Sequence, residues 1–99
     1  MDELQRRVGR WGEETFPDAT EASILAHLKE EIGELHAAIS YGGNVSEEAG
    51  DSLLLLLHLA QRRGFSLYHA ARVKFEANKT RTWGPAEGGY WKHVDEVAQ

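Results

Sequence analysis

Five carboxylates carry the chemistry that this sequence suggests most clearly. Glu30, Glu31 and Glu34 lie close together, and Glu48 and Asp51 follow after a short interval. Residues three apart on a helix are neighbours on one face, so each group would present its acids side by side. Carboxylates gathered in this way can serve as general acids or bases or can hold a metal ion.

The segments that carry these acids both have helical patterns. Residues from about 21 to 41 form one apolar stripe at helical spacing: Ile24, Leu25, Leu28, Ile32, Leu35 and Ile39. Thr20 or Asp18 caps its start, and Gly42 and Gly43 end it. A second helix is predicted from about 45 to 63, because Asn44 and Glu47 form a capping-box pattern.

The geometry of a hairpin brings the two acidic groups together. On a helical wheel Glu31 lies about 70° from the centre of the apolar stripe, Glu34 lies further round the same side, and Glu30 lies nearly opposite. The short link makes the helices antiparallel, so Glu34 and Asp51 both lie roughly 12–14 Å from the turn. Four carboxylates, those of Glu31, Glu34, Glu48 and Asp51, are therefore expected to converge.

Either acidic group alone would be interpreted as a solvated helix face. The convergence of the two groups favours a bound cation instead. Two carboxylates about 4 Å apart repel by roughly 4 kcal/mol at an effective dielectric near 20. Oxygen ligands without cysteine suit Mg²⁺, with Mn²⁺ as a substitute. A di-iron site would require Glu-x-x-His pairs, and neither acidic group has one.

Two further helices complete an all-α, four-helix, bundle-like protomer. The first runs from about 2 to 15, with Leu4, Val8 and Trp11 on one face. The last follows Ser66, its expected N-cap, and ends near residue 78. We therefore expect a single domain over 1–99, with a helical core at about 2–79 and an aromatic, loop-like tail at 80–99.

A run of five leucines, Leu53–Leu57, predicts an oligomer. Five consecutive residues on a helix point in every direction, so such a helix must be covered nearly all round. A second copy of the chain is the simplest cover, which predicts a homodimer or a higher homo-oligomer. The alternative, a buried strand, is disfavoured because the run contains no β-branched residue.

Composition excludes several classes of protein. The 99 residues carry 16 acidic and 11 basic side chains, a net charge of −5, so no duplex nucleic acid is expected as a partner. The absence of cysteine excludes disulfides, thiolate catalysis and zinc fingers. The N-terminus has no apolar signal region and no run is long enough for a membrane span, so a cytoplasmic protein is expected.

The acidic motifs resemble those of the MazG-type, all-α nucleoside triphosphate pyrophosphohydrolases. The family signature is two adjacent acids, two spacers and a third acid, followed later by an acid, two spacers and Asp. Here these elements are Glu30–Glu34 and Glu48–Asp51. The resemblance extends from about residue 5 to 81.

This resemblance implies a four-helix fold that dimerises, and Mg²⁺-dependent hydrolysis of nucleoside triphosphates between the α and β phosphates, as in housecleaning of nucleotide pools. It implies that Glu31, Glu34, Glu48 and Asp51 are metal ligands. Glu30 would be an accessory ligand or a base that orients water. Because Mg²⁺ reverses the local field, an acidic site can then bind a polyphosphate.

Residues outside the acidic motifs are candidates for binding the nucleotide. Lys74 and Asn78 share a helix face and Arg81 follows, which fits phosphate contact, although a solvated basic helix end is the alternative. A base could stack on an aromatic ring, although packing is the more common role of these residues: Trp11, Trp83, Tyr90 and Trp91. The histidines are expected to be surface or structural residues: His27, His36, His58, His69 and His93.

Two other functions remain open at this point. Phosphoribosyl-ATP pyrophosphohydrolase of histidine biosynthesis has a similar acidic pattern and size. A catalytically idle helical dimerisation module is the second alternative, although the five acids are all present. Without those five, the 16 acidic residues fall to 11 and balance the 11 basic ones. The charge excess therefore lies in the motif.

Overall fold

The computed structural model describes residues 1–85 and 91–93. This part of the chain contains four helices and two short strands: α1 (Asp2–Thr15), α2 (Glu21–Tyr41), α3 (Val45–Arg63), α4 (Leu67–Lys79), β1 (Trp83–Pro85) and β2 (Trp91–His93). The predicted all-helical character and the bounds of the first three helices are confirmed. The chain divides into two compact units, Met1–Tyr68 and His69–Gln99.

Local hydrogen bonds explain where α2 and α3 begin and end. Thr20, rather than Asp18, caps α2, because its hydroxyl accepts from the Ser23 N–H while the Ser23 hydroxyl accepts from the Thr20 N–H. The Asn44 side chain accepts from the Glu47 N–H at the start of α3. Gly64 ends α3 in the left-handed conformation at φ 80°, which favours glycine.

In the first unit α3 packs against both α1 and α2. Leu57 and Ala60 of α3 are completely buried, and Ile24 of α2 is almost so. Gly12 lets α1 approach α3 closely, because a Cβ there would lie only 2.6 Å from Cε1 of His58. Gln5 of α1 is also buried, and its amide donates to the Phe65 carbonyl at 2.7 Å. These contacts fix the helices that carry the acidic residues.

The leucine run is only partly covered within one chain. Leu57 is fully buried, whereas Leu54 and Leu56 remain 39% and 37% exposed. The neighbouring helices thus cover only part of the run, and its cover by a second copy of the chain stays a prediction. None of the helices in 1–85 combines the length and the apolar character that a bilayer crossing requires.

The second unit corrects the expectation of a loop-like tail at 83–85 and 91–93. There β1 pairs antiparallel with β2, with Trp83 opposite His93 and Pro85 opposite Trp91. The Gly and Pro residues of the tail suggested a loop, but its aromatic residues favour strands. The Trp83 indole N–H also donates to the Asn78 carbonyl at 2.8 Å, tying β1 to the end of α4.

Candidate active site

Three carboxylates converge between α2 and α3. Glu31 and Glu34 lie one turn apart on α2 and Glu48 lies on α3, and one oxygen of each lies within 4.8 Å of the others. Glu31 and Glu48 are half-buried, whereas Glu34 is exposed. The hairpin therefore places these predicted ligands together, as the antiparallel arrangement of the two helices requires.

The cluster has the properties of a cation site. One oxygen of Glu31 and one of Glu48 (Oε2 in each) are buried without a hydrogen-bond partner. Burial raises the pKa of Glu48, and the neighbouring charges of Glu34, Glu31 and Asp51 raise it further. Buried, unpartnered carboxylate oxygens in mutual repulsion fit a hard divalent ion such as Mg²⁺ or Mn²⁺.

Asp51 and Glu30 lie outside this trio. Asp51 is exposed one turn beyond Glu48, and its charge contributes to the raised pKa of Glu48. Glu30 is exposed on α2, as its wheel position predicted. Their roles as a metal ligand and as an accessory acid stay predictions.

His27 is a site residue that the sequence reasoning missed. Its Nε2 lies 3.2 Å from Oε1 of Glu31, one turn further along α2. The ring N–H can donate to this carboxylate and hold it in place, as supporting residues around metal ligands do. The spacing of four residues was a visible signal, but it gives no reason to choose this pair over others on the helix.

An apolar pocket of about 460 Å³ adjoins the acids within the first unit. Glu31 and Asp51 line it together with the aromatic rings of Trp11 and Phe16. These two rings meet edge to face, with centroids 5.4 Å apart. The other side chains around the pocket come from α1, α2, α3 and the α1–α2 turn: Val8, Asp18, Ala19, Ser23, Ile24, His27, Leu54, Leu55 and His58. The predicted base-stacking residue Trp11 thus lies in a cavity shared with two of the acids.

A hydrogen-bond network secures one wall of this pocket. His58 is buried, and its Nε2 donates to Oε2 of Glu13 at 2.7 Å. Arg62 donates to the same Glu13 oxygen at 3.3 Å and to the Ala19 carbonyl at 2.7 Å. Hydrogen bonding from His58 holds the pKa of Glu13 below its ordinary value, and the charge of Arg62 acts in the same direction. His58 therefore has the structural role predicted for it.

The predicted phosphate-binding residues belong to the second unit. Lys74 is exposed on α4, and Arg81 follows the helix. Asn78 is half-buried, and its Oδ1 is buried without a partner. Their roles, like those of Trp83 and Trp91, stay predictions, and Tyr90 lies outside the described residues.

Comparison with known proteins agrees with this geometry. The family model for dATP/dGTP pyrophosphohydrolase matches residues 4–99. A dATP/dGTP diphosphohydrolase of cyanophage S-2L is 36% identical over 92 residues, which cover 93% of this chain and 86% of that protein. Another, of Salmonella phage PMBT28, is 33% identical over 93% of this chain, which spans only 31% of that relative.

A solved structure extends the likeness from sequence to fold. The cyanophage S-2L MazG-like pyrophosphohydrolase, bound to dGDP and three catalytic Mn²⁺ ions per active site, superposes with a TM-score of 0.78. The match has 35% sequence identity and covers 93% of this chain and 94% of that one. The MazG-like resemblance of the acidic motifs is thereby confirmed.

Proposed function

Because the chain belongs to the dATP/dGTP pyrophosphohydrolase family and is a MazG-like nucleotide pyrophosphohydrolase, we propose that it hydrolyses dATP and dGTP between the α and β phosphates. The products are the deoxynucleoside monophosphate and pyrophosphate. One observation carries the proposal: the carboxylates of Glu31, Glu34 and Glu48 converge beside an apolar pocket large enough for a base. Metal-coordinated phosphates and a stacked base require this combination.

The acids hold the metal and position the water. Glu31, Glu34 and Glu48 supply ligand oxygens, and Asp51 completes the set from the next turn of α3. A bound Mg²⁺ or Mn²⁺ supplies charge neutralisation for the phosphates and lowers the pKa of a coordinated water. His27 holds the Glu31 carboxylate through its hydrogen bond. Glu30, exposed on α2 outside the trio, is proposed as an accessory ligand or as a base that orients the attacking water.

The apolar pocket receives the base. Trp11 offers an aromatic face on which a purine can stack, and Phe16 supports that ring edge to face. Base stacking is sequence-tolerant by itself, since every base has a π-face. Stacking on Trp11 therefore contributes to base binding but does not by itself choose between adenine and guanine.

The phosphates require positive charge beyond the metal. Lys74 and Arg81 are proposed to supply this charge, and the Asn78 amide is proposed as an uncharged hydrogen-bond donor. An ammonium or guanidinium group forms stronger hydrogen bonds to phosphate than a neutral donor does. These residues would bind the triphosphate before the reaction and would stabilise the leaving pyrophosphate.

The assembly is proposed to be a homodimer or a higher homo-oligomer. The exposed apolar side chains include Leu54 and Leu56 of α3 and Ile32 and Ile39 of α2. Covering them would remove apolar surface from water at about 25 cal/mol per Å². A cytoplasmic location and a role in the housecleaning of deoxynucleotide pools belong to the same proposal.

Pyrophosphate release tests the proposed activity. The purified protein is incubated with Mg²⁺ or Mn²⁺ and each of the eight common ribo- and deoxynucleoside triphosphates, and with phosphoribosyl-ATP. We expect release from dATP and dGTP, dependent on the metal, with the monophosphate as the second product. Release from phosphoribosyl-ATP alone would assign the chain to histidine biosynthesis. No release from any compound, together with no metal binding by calorimetry, would leave an idle helical module.

A further inference from the structure

Asp18 places a carboxylate on the wall of the base pocket, away from the metal-binding acids. The residue lies in the turn between α1 and α2, whereas Glu31 is the eleventh residue of α2. Eleven helical residues span about 16 Å along the axis, at 1.5 Å per residue. In the proposed binding mode the phosphates lie at Glu31 and the base lies at the end of the pocket that contains Asp18.

The turn around Asp18 is held in place by neighbouring contacts. Pro17 restricts the backbone before it, and the Ala19 N–H donates to the Phe16 carbonyl at 3.0 Å. Arg62 donates to the Ala19 carbonyl at 2.7 Å from the other side. These contacts hold the backbone that carries the Asp18 carboxylate, so little backbone ordering is needed when a ligand binds.

Outside the acidic motifs, the other polar side chains of the pocket are already engaged. The Ser23 hydroxyl accepts from the Thr20 N–H and donates to the Thr20 carbonyl. His27 is bonded to Glu31, and His58 is bonded to Glu13. Among the described residues no hydrogen bond or ion pair involves the Asp18 carboxylate.

This arrangement discriminates between the two purines. A carboxylate only accepts hydrogen bonds, and it can accept two in parallel. Guanine presents two adjacent donors, the N1–H and the exocyclic N2 amine, on its Watson–Crick edge. Adenine presents one donor beside the N1 acceptor, and that lone pair would face a negative oxygen. Building on the proposed function, we infer that Asp18 recognises the Watson–Crick edge of guanine and makes dGTP the preferred substrate.

Selectivity between dGTP and dATP tests this role. We expect the wild-type kcat/KM to be higher for dGTP than for dATP, with dITP, which lacks the N2 amine, between them. Asp18→Asn should reduce the dGTP-to-dATP ratio by about tenfold or more, because a carboxamide offers a donor and an acceptor that match adenine. Asp18→Ala should lower the rate for dGTP alone. Glu14→Gln removes an exposed charge near the end of α1 and should leave the ratio unchanged.

Direct binding provides a second measurement. Calorimetry in the presence of Mn²⁺ should give tighter binding of dGMP than of dAMP to the wild type, and Asp18→Asn should remove the difference. Circular dichroism verifies the fold of each variant. If both purine triphosphates are hydrolysed and neither Asp18 variant changes the ratio, the role of Asp18 is wrong while the proposed activity stands. If the wild type hydrolyses neither dATP nor dGTP, both the proposed activity and the role of Asp18 are wrong.

Discussion

Nε2 of His58 lies 2.7 Å from Oε2 of Glu13, which joins α3 to α1 at the wall of the apolar pocket. The two ends of this hydrogen bond differ in environment, since the His58 side chain is 7% exposed and that of Glu13 is 52% exposed. The buried imidazole therefore depends on a partner that solvent can reach. Arg62 bonds the same Glu13 oxygen and extends the link to the α1–α2 turn.

Removal of Glu13 should destabilise the protein. Glu13→Ala leaves the buried His58 nitrogen without its protein acceptor, which should lower the free energy of unfolding. Glu13→Gln keeps an amide oxygen in reach and should lose less. Urea unfolding followed by circular dichroism measures both variants. A Glu13→Ala midpoint equal to that of the wild type would show that the bond contributes nothing.

The same carboxylate should make stability depend on pH. The hydrogen bond from His58 lowers the folded-state pKa of Glu13 below the ordinary 4.5. A carboxyl group whose pKa is lower in the folded state stabilises the protein at pH values above its unfolded-state pKa. This stabilisation is lost as the pH falls through the folded-state pKa. We expect the wild type to lose its advantage over Glu13→Gln as pH drops below about 4.5. Parallel stability curves for the two proteins in that range would contradict the assignment.

Sequence patterns predict the helices well because their signals are local. Asn44 and Gly64 bound α3 through contacts within one turn. The apolar stripe of α2 predicts that helix, although Ile24 is its one buried member. The convergence of Glu31 with Glu48 also follows from a short antiparallel link. The choice between Asp18 and Thr20 as the cap required the side-chain geometry of Ser23.

Contacts between residues far apart in the chain could not be predicted from the sequence. Glu13 and His58 are 45 residues apart, and no periodicity connects them. The pairing of Trp83 with His93 is likewise non-local, and the glycines and proline between them suggested a loop. A helical wheel places Asp51 on the correct face of α3 but does not fix how far its carboxylate reaches. The sequence therefore predicts four converging acids, and the structure identifies Glu31, Glu34 and Glu48 as the three whose oxygens meet.

Glu48→Gln should abolish turnover without unfolding the protein. The change removes a ligand charge but no core contact, and it relieves the burial of a charge and the repulsion from neighbouring acids, which together raise the pKa of Glu48. Without metal the variant should therefore be at least as stable as the wild type. Added Mn²⁺ should raise the Tm of the wild type but not of the variant, because only a ligand that binds the folded state stabilises it.

A neighbouring glutamate provides the matched control for this experiment. Glu47 is exposed in the first turn of α3, and its carboxylate is not a member of the acidic trio. Glu47→Gln removes the same charge one residue away and should keep both pyrophosphate release and the Mn²⁺-dependent rise in Tm. An active Glu48→Gln would remove that residue from the metal site.

Loss of the Lys74 ammonium should weaken the binding of the triphosphate. Lys74→Ala should raise KM about tenfold, because a hydrogen bond to a charged group contributes about 1.5–3 kcal/mol. Lys79→Ala is the control on the same helix, since that ammonium already pairs with Glu76 at 3.0 Å. Steady-state kinetics with dGTP and dATP separates KM from kcat. Equal KM values for the two variants would contradict a phosphate contact at Lys74.

A methyl group at Gly12 should separate α1 from α3. The Cβ of Gly12→Ala would lie 2.6 Å from Cε1 of His58, so the ring or the helix must move. Overpacking of this kind costs about 1–3 kcal/mol, and the shift disturbs the bond from His58 to Glu13. Gly33→Ala, in a helical position with nothing within 4 Å of the new Cβ, should instead gain about 0.5–1 kcal/mol. Urea unfolding of both variants measures the difference, and destabilisation by Gly33→Ala as large as that by Gly12→Ala would rule out the close approach as its cause.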